Sequence, residues 1–166
     1  MKMKLWQRNA VGAAVSAAAL TVIVVTDLAP DWATYRDSTH ADQVVAVGAV
    51  GAADGQTWQV ESIRHLDDVK GIGGRGLPDG TVLNVVAVER TGTPAEVGCT
   101  AVITDGQRRW SAEGGGGYAD VPPEGISSIC GTPGPVQFSF LLPGDVVPTA
   151  MDVTDAQGRI LLRLLL

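Results

Sequence analysis

Aromatic side chains are scarce in this chain, at 5% of residues, so any core must be built from Val, Leu, Ile and Ala. Two cysteines exclude a disulfide-dense mini-fold and a four-cysteine zinc site. The two histidines, His40 and His65, have no third ligand near them in the chain, and a catalytic zinc needs three protein ligands. Positive charge is short as well. Twelve Lys+Arg stand against eighteen Asp+Glu, a formal charge of −6, whereas nucleic-acid binding draws most of its affinity from a basic footprint. Sequence signatures of chemistry are missing too: no Gly-x-Ser-x-Gly elbow, no CxxC pair, and no alternating oxygen ligands around Asp67-Asp68 that would suit calcium. These gaps remove most enzyme classes, and the expectation is a non-enzymatic protein without metal or cofactor.

What is present begins at the N-terminus. Lys2, Lys4 and Arg8 precede Asn9–Thr26, a run without charge. As a helix rising about 1.5 Å per residue it would span about 27 Å, close to the roughly 30 Å of a bilayer core. Basic residues before it and Asp27 and Asp31 after it put the N-terminus in the cytoplasm. Cleavage as a signal peptide is disfavoured. The small residues Ala17-Ala18-Ala19 lie inside the apolar run, and Ala29 has Asp27 at −3 and Pro30 at +1. No cysteine follows the run, which excludes a lipoprotein anchor. The organisation expected is a tail over 1–8, a transmembrane signal anchor over 9–27 in contact with lipid, a polar stalk without periodicity over 28–42, and an extracytoplasmic domain over 43–166. Trp32 and Tyr35 suit the membrane interface.

Nine of the basic residues and all eighteen acidic ones follow Thr26, a net −9 that keeps this part soluble and away from anionic headgroups. In an oxidising compartment Cys99 and Cys130 default to a disulfide, worth about 3–4 kcal/mol in the chain-entropy model for a loop of about 30 residues.

Beyond the stalk, Val-, Ile- and Thr-rich runs alternate with turn signals at the 8–12-residue spacing of a sandwich or barrel. Val44–Val50, Asp54-Gly55 and Thr57–Arg64 read as a first hairpin. Thr81–Arg90 has two largely apolar faces, as in a central strand. Thr100–Thr104, Asp105-Gly106 and Arg108–Ala112 form a second hairpin. Val136, Phe138, Phe140 and Leu142 alternate with Gln137, Ser139 and Leu141, the clearest period-2 pattern in the chain. A third hairpin joins Pro148–Thr154 to Arg159–Leu165. The fold class expected is all-β, an antiparallel β-sandwich of seven to eight strands after one N-terminal transmembrane helix. Its core candidates are Trp58, Leu83, Val85, Ile103, Trp110, Phe138, Phe140, Val153, Ile160 and Leu162. Alternation along the last strand buries Leu162 and Leu164 and leaves Leu161 and Leu165 partly exposed.

The succession Gly55-Gln56-Thr57-Trp58-Gln59-Val60, Leu77-Pro78-Asp79-Gly80-Thr81-Val82-Leu83, Phe138-Ser139-Phe140-Leu141-Leu142-Pro143 and Ala150-Met151-Asp152-Val153 resembles a known layout. It is similar to the Ig-like sandwich domains of small actinobacterial envelope proteins, the superfamily of the immunoprotective extracellular proteins. The abundance of Ala, Val, Asp and Arg over Lys fits that resemblance, which covers roughly residues 43–166. It implies an Ig-like fold and an envelope location, and it carries no site residues.

Two loops stand out. Gly71, Gly73 and Gly76 match G-x-G-x-x-G, but Leu77-Pro78-Asp79-Gly80 cannot continue as the helix a dinucleotide site requires. The segment reads as an inter-strand loop with Arg75 as its contact residue. Gly114-Gly115-Gly116-Gly117 with Tyr118, then Val121-Pro122-Pro123, reads as a second excursion with Tyr118 as its rigid contact, pinned to the sheet through Cys130. The function expected is presentation of this domain to an unknown membrane or envelope protein, as an accessory subunit of a membrane complex. The alternatives are a small-ligand or lipid carrier with an apolar pocket between the sheets, and a small extracytoplasmic hydrolase.

Overall fold

The computed structural model describes residues 4–67, 76–93, 98–114, 117–131 and 134–166. The chain divides into two compact units, Met1–Asp37 and Ser38–Leu166.

Helical structure runs from Leu5 to Thr39, as α1 (Leu5–Ile23), a π turn (Val24–Leu28) and α2 (Ala29–Thr39). This helix is long and apolar enough to cross a membrane, with mean hydropathy 2.0 over its most apolar stretch. Hydroxyls along it bond back one turn and so need no water: Thr21 donates to the Ala17 carbonyl at 2.9 Å and Thr26 to the Val22 carbonyl at 2.8 Å. Pro30 has no N–H, and in a regular α-helix its ring would strike the carbonyl four residues earlier. The π turn absorbs that defect, since the Ala29 N–H reaches back five residues to the Val24 carbonyl. The segment 28–42, read as a stalk without periodicity, is therefore helical as far as Thr39. A helix already nucleated gains one bond per added residue and needs no apolar stripe to continue.

Among the described residues, nine strands follow: β1 (Val44–Val45), β2 (Gly51–Ala53), β3 (Gln56–Leu66), β4 (Thr81–Gly92), β5 (Cys99–Thr104), β6 (Arg109–Ser111), β7 (Val136–Pro143), β8 (Ala150–Asp155) and β9 (Ile160–Leu165). One sheet has the order β1-β9-β8-β5-β6 and the other β2-β3-β4-β7. Seven or eight strands were expected, and the additional ones are very short. The run Val44–Val50 is not one strand. A tight turn closes with the Ala49 N–H on the Ala46 carbonyl at 3.0 Å and positive φ at Gly48, so β1 and β2 fall in different sheets. The sheets are also not wholly antiparallel, because β1 runs parallel to β9, with Val44 beside Arg163 and Val45 beside Leu164.

The two sheets pack face to face. Trp58, Val86, Val88, Phe138, Phe140 and Leu142 of one share a single buried cluster with Ile103, Met151, Val153, Leu162 and Leu164 of the other. Nine of the ten core candidates are buried, while Trp110 on the edge strand β6 is half-buried. Along β9, Ile160, Leu162 and Leu164 are buried and Leu161, Arg163 and Leu165 half-buried, the alternation expected of a strand with one face in the core.

Turn chemistry accounts for the three hairpins. Asp54 and Gly55 both adopt positive φ, at 48° and 71°, which a two-residue primed turn requires. Asp105 accepts the N–H groups of Gln107 and Arg108 at 2.9 and 2.6 Å. Those backbone bonds, the Arg108 bond first, hold its carboxyl down at about 2. At the β8–β9 turn, partial burial raises the Asp155 carboxyl, but the Arg159 side chain and the N–H groups of Arg159 and Gln157 outweigh it and the net shift is downward. On the outer face of the five-stranded sheet, fully buried Asp152 accepts two bonds from Arg163 at 2.6 and 2.8 Å and one from Arg109 at 3.0 Å. Its bond to the Arg163 guanidinium keeps that group's pKa above the ordinary arginine value, against the opposing effect of burial.

Candidate interaction surface

Between β6 and β7 the chain makes a long excursion over 112–135, and the free edge of β7 is where it docks. The Ala112 N–H still continues the sheet, on the Ala101 carbonyl at 2.8 Å. One residue on, the Glu113 N–H donates to the Ser139 carbonyl of β7 at 2.7 Å, so the chain steps from one sheet to the edge of the other. Further along, Ser127 forms a parallel bridge with Val136. Its carbonyl accepts the Gln137 N–H at 2.8 Å and its N–H donates to the Pro135 carbonyl at 3.0 Å. A strand edge that would otherwise offer unpaired groups is thereby partly covered by its own chain.

Side chains fasten the middle of the excursion. Arg64 on β3 donates to the Asp120 carboxylate at 2.9 Å and to Gln137 Oε1 at 3.0 Å. The Asp120 N–H donates to Ser139 Oγ at 3.1 Å, and Gln137 Nε2 to the Asp120 carbonyl at 3.3 Å. Arg64 is opposite Val85, and Val85 opposite Ser139, so these groups share the outer face of the four-stranded sheet. On that face Leu83 and Val85 are fully buried although they lie outside the main core cluster. This is why Thr81–Arg90 reads as apolar on both sides.

Two further ties hold the C-terminal part. The disulfide Cys99–Cys130 is formed, with a Cα–Cα distance of 5.2 Å, and it fixes the excursion to the start of β5. Arg90, buried at the end of β4, donates to the Cys130 carbonyl at 2.7 Å and the Gly134 carbonyl at 3.2 Å. Its guanidinium lies 5.3 Å from the centre of the Trp58 ring, opposite it across the strand pair. Burial pulls the Arg90 pKa below the ordinary arginine value, yet an arginine stays charged at neutral pH.

Under the excursion lies a cavity of about 160 Å³, lined among others by Cys99, Thr100, Glu113, Asp120, Gln137 and Ser139. The two acids in it are occupied. Asp120 pairs with Arg64, and the Glu113 carboxylate accepts the Tyr118 N–H at 3.4 Å. Among the described residues no three His, Cys, Asp or Glu converge to hold a metal. His40 bonds the Thr39 hydroxyl at 2.9 Å, and His65 stands on β3 opposite Asn84.

Of the contact residues expected from sequence, Tyr118 is half-buried on the excursion and Arg75 lies outside the described residues. Among the described residues of the excursion, the large apolar side chains left exposed are Val121 and Ile129, at 68% and 66%. Sequence reading missed both, and it missed Arg90 and the Arg64–Asp120 pair. Alternation could have placed Arg90, since Val86, Val88 and Arg90 have the same parity and the first two face the core. Nothing local links Arg64 to Asp120, which are 56 residues apart.

No family model and no curated protein matches this chain. Among solved structures, an uncharacterized β-sandwich protein from Clostridium difficile 630 is 14% identical, covering 75% of this chain and 94% of its own, with a TM-score of 0.39. At that overlap the likeness carries no argument, and the sandwich assignment stands on the strand pairing and the shared core described above.

Proposed function

We propose that this chain is a non-enzymatic, single-pass membrane protein with its N-terminus in the cytoplasm, and that its extracytoplasmic sandwich binds a membrane or envelope protein through the excursion over 112–135. The observation that carries the reading is the exposure of Val121 and Ile129 on a segment tied down by a disulfide, a buried arginine and an ion pair. Exposed aliphatic side chains on a restrained loop lose little entropy on binding, the usual advantage of a preformed surface. An accessory subunit of a membrane complex fits this arrangement, and an Ig-like presentation domain is the resemblance that agrees with it. The cavity of about 160 Å³ is smaller than the roughly 300–1,000 Å³ of small-molecule sites, which favours a protein partner over a carried ligand.

The test is in-cell crosslinking of the full-length protein, mild detergent extraction and mass spectrometry, beside a Val121→Asp/Ile129→Asp variant. A second control lacks residues 1–27 and is exported by a cleavable signal. A stoichiometric partner captured by the parent and lost from the double variant, at unchanged melting temperature, is the expected result. Recovery of the protein alone from all three would overturn the reading.

A further inference from the structure

We infer that the Cys99–Cys130 disulfide is a thiol-exchange site: a protein dithiol attacks Cys99, and the reduction releases the stretch over 126–131 from the edge of β7.

The excursion is fastened by bonds rather than by a core of its own. Among its described residues from Ala112 to Pro135, Cys130 alone is buried, at 4%. Close to it, Ser127 makes its two backbone bonds at the start of β7, and the Arg90 guanidinium holds the Cys130 and Gly134 carbonyls. A segment with so little buried apolar surface opens locally at low cost. The disulfide joins positions 31 apart in the chain, and closing such a loop is worth a factor of roughly a hundred or more in the chain-entropy model. The hold of this stretch on β7 therefore depends chiefly on the bridge.

Access and charge distinguish the two sulfurs. Cys99 is half-buried and forms part of the wall of the cavity of about 160 Å³, whereas Cys130 is buried and does not line it. An incoming thiolate therefore reaches Cys99 Sγ first. Arg90, 3% exposed, belongs to the Cys130 side, with Nη1 2.7 Å from that residue's carbonyl oxygen. A buried cation beside a thiolate stabilises it, and the better-stabilised thiolate leaves faster. Attack on Cys99 thus breaks the S–S bond with its electron pair going to Cys130 Sγ. The donor's second thiol then attacks the mixed disulfide, closes the donor's own disulfide and releases Cys99. Both new thiolates take up the protons that the donor's two thiols gave up, so the chain gains two electrons and two protons. With the stretch released, the Gln137 N–H loses the Ser127 carbonyl and β7 regains an unpaired edge there.

The experiment uses full-length protein in detergent micelles and a thioredoxin-fold dithiol protein whose second cysteine is changed to serine, which halts exchange at the mixed disulfide. Alkylation, digestion and mass spectrometry identify the captured cysteine. Reduction by the intact dithiol protein, followed by hydrogen exchange, then reads the strand edge. The expected result is capture through Cys99 and, after reduction, exchange of the Gln137 amide about a hundredfold faster. The Phe138 amide, in the ladder opposite Val86, keeps its rate. Capture through Cys130, or no capture below the melting temperature, overturns the thiol-exchange site. Exchange at Gln137 that is unchanged on reduction, or accelerated together with Phe138, overturns the local release.

Discussion

Asn84 offers a sharp test of the packing. It lies on β4 between Leu83 and Val85, opposite Phe140 on β7 and His65 on β3, with no surface exposed. Its parity is that of Val86 and Val88, so its amide faces the core. Among the described residues neither the amide nitrogen nor the amide oxygen has a hydrogen-bond partner. An amide buried in that condition costs about 1–3 kcal/mol, and Leu has the same branching and the same number of side-chain heavy atoms without a polar group, its bulkier methyls offsetting part of the gain. Asn84→Leu is therefore expected to stabilise the sandwich by about 2 kcal/mol. For a unit the size of Ser38–Leu166 each kcal/mol is worth about 4 °C, so the melting temperature should rise by about 8 °C. Thermal unfolding of the full-length protein in detergent, followed by near-ultraviolet circular dichroism, reads this directly. A lower melting temperature in the variant would refute the reasoning, because it would mean the amide is satisfied by a partner such as an internal water whose loss loosens the core.

Replacing both cysteines, Cys99→Ala with Cys130→Ala, should lower stability by about 3–4 kcal/mol and the melting temperature by about 12–16 °C; an unchanged melting curve would count against the bridge. Asp105, whose carboxyl is held down at about 2 by the Arg108 and Gln107 N–H groups, contributes stability that is complete above its unfolded pKa of about 3.9 and is lost as pH falls towards about 2. Asp105→Asn should flatten urea-unfolding stability between those two pH values, and a slope identical to the parent's would show that other carboxylates govern the acid limb.

What could be read from the residues alone is what local physics enforces. An uncharged run behind three basic residues is apolar wherever it lies, so the helix was legible; period-2 alternation located β7 and the inward face of β9, apolar runs between turn signals located β4 and β8, and the core candidates named about half of the core, without Val86, Val88, Val136 and Met151. The turn dipeptides Asp54-Gly55 and Asp105-Gly106 worked because positive φ and Asx-type bonding are properties of those residues themselves. The extension of the helix to Thr39 was not legible, since it depends on a π turn relieving Pro30 rather than on periodicity. Nor was the division of Val44–Val50 between sheets, where a turn at Gly48 interrupts an apparently continuous apolar run. Only the tertiary structure decided which side chains make up the candidate surface. Arg64 meets Asp120, and Arg90 meets Cys130 and Gly134, through chain separations of 40 or more residues, and no local pattern encodes such pairs. The exposure of Val121 and Ile129 follows from the same long-range ties, because a segment's own composition does not say which of its side chains the rest of the fold will cover.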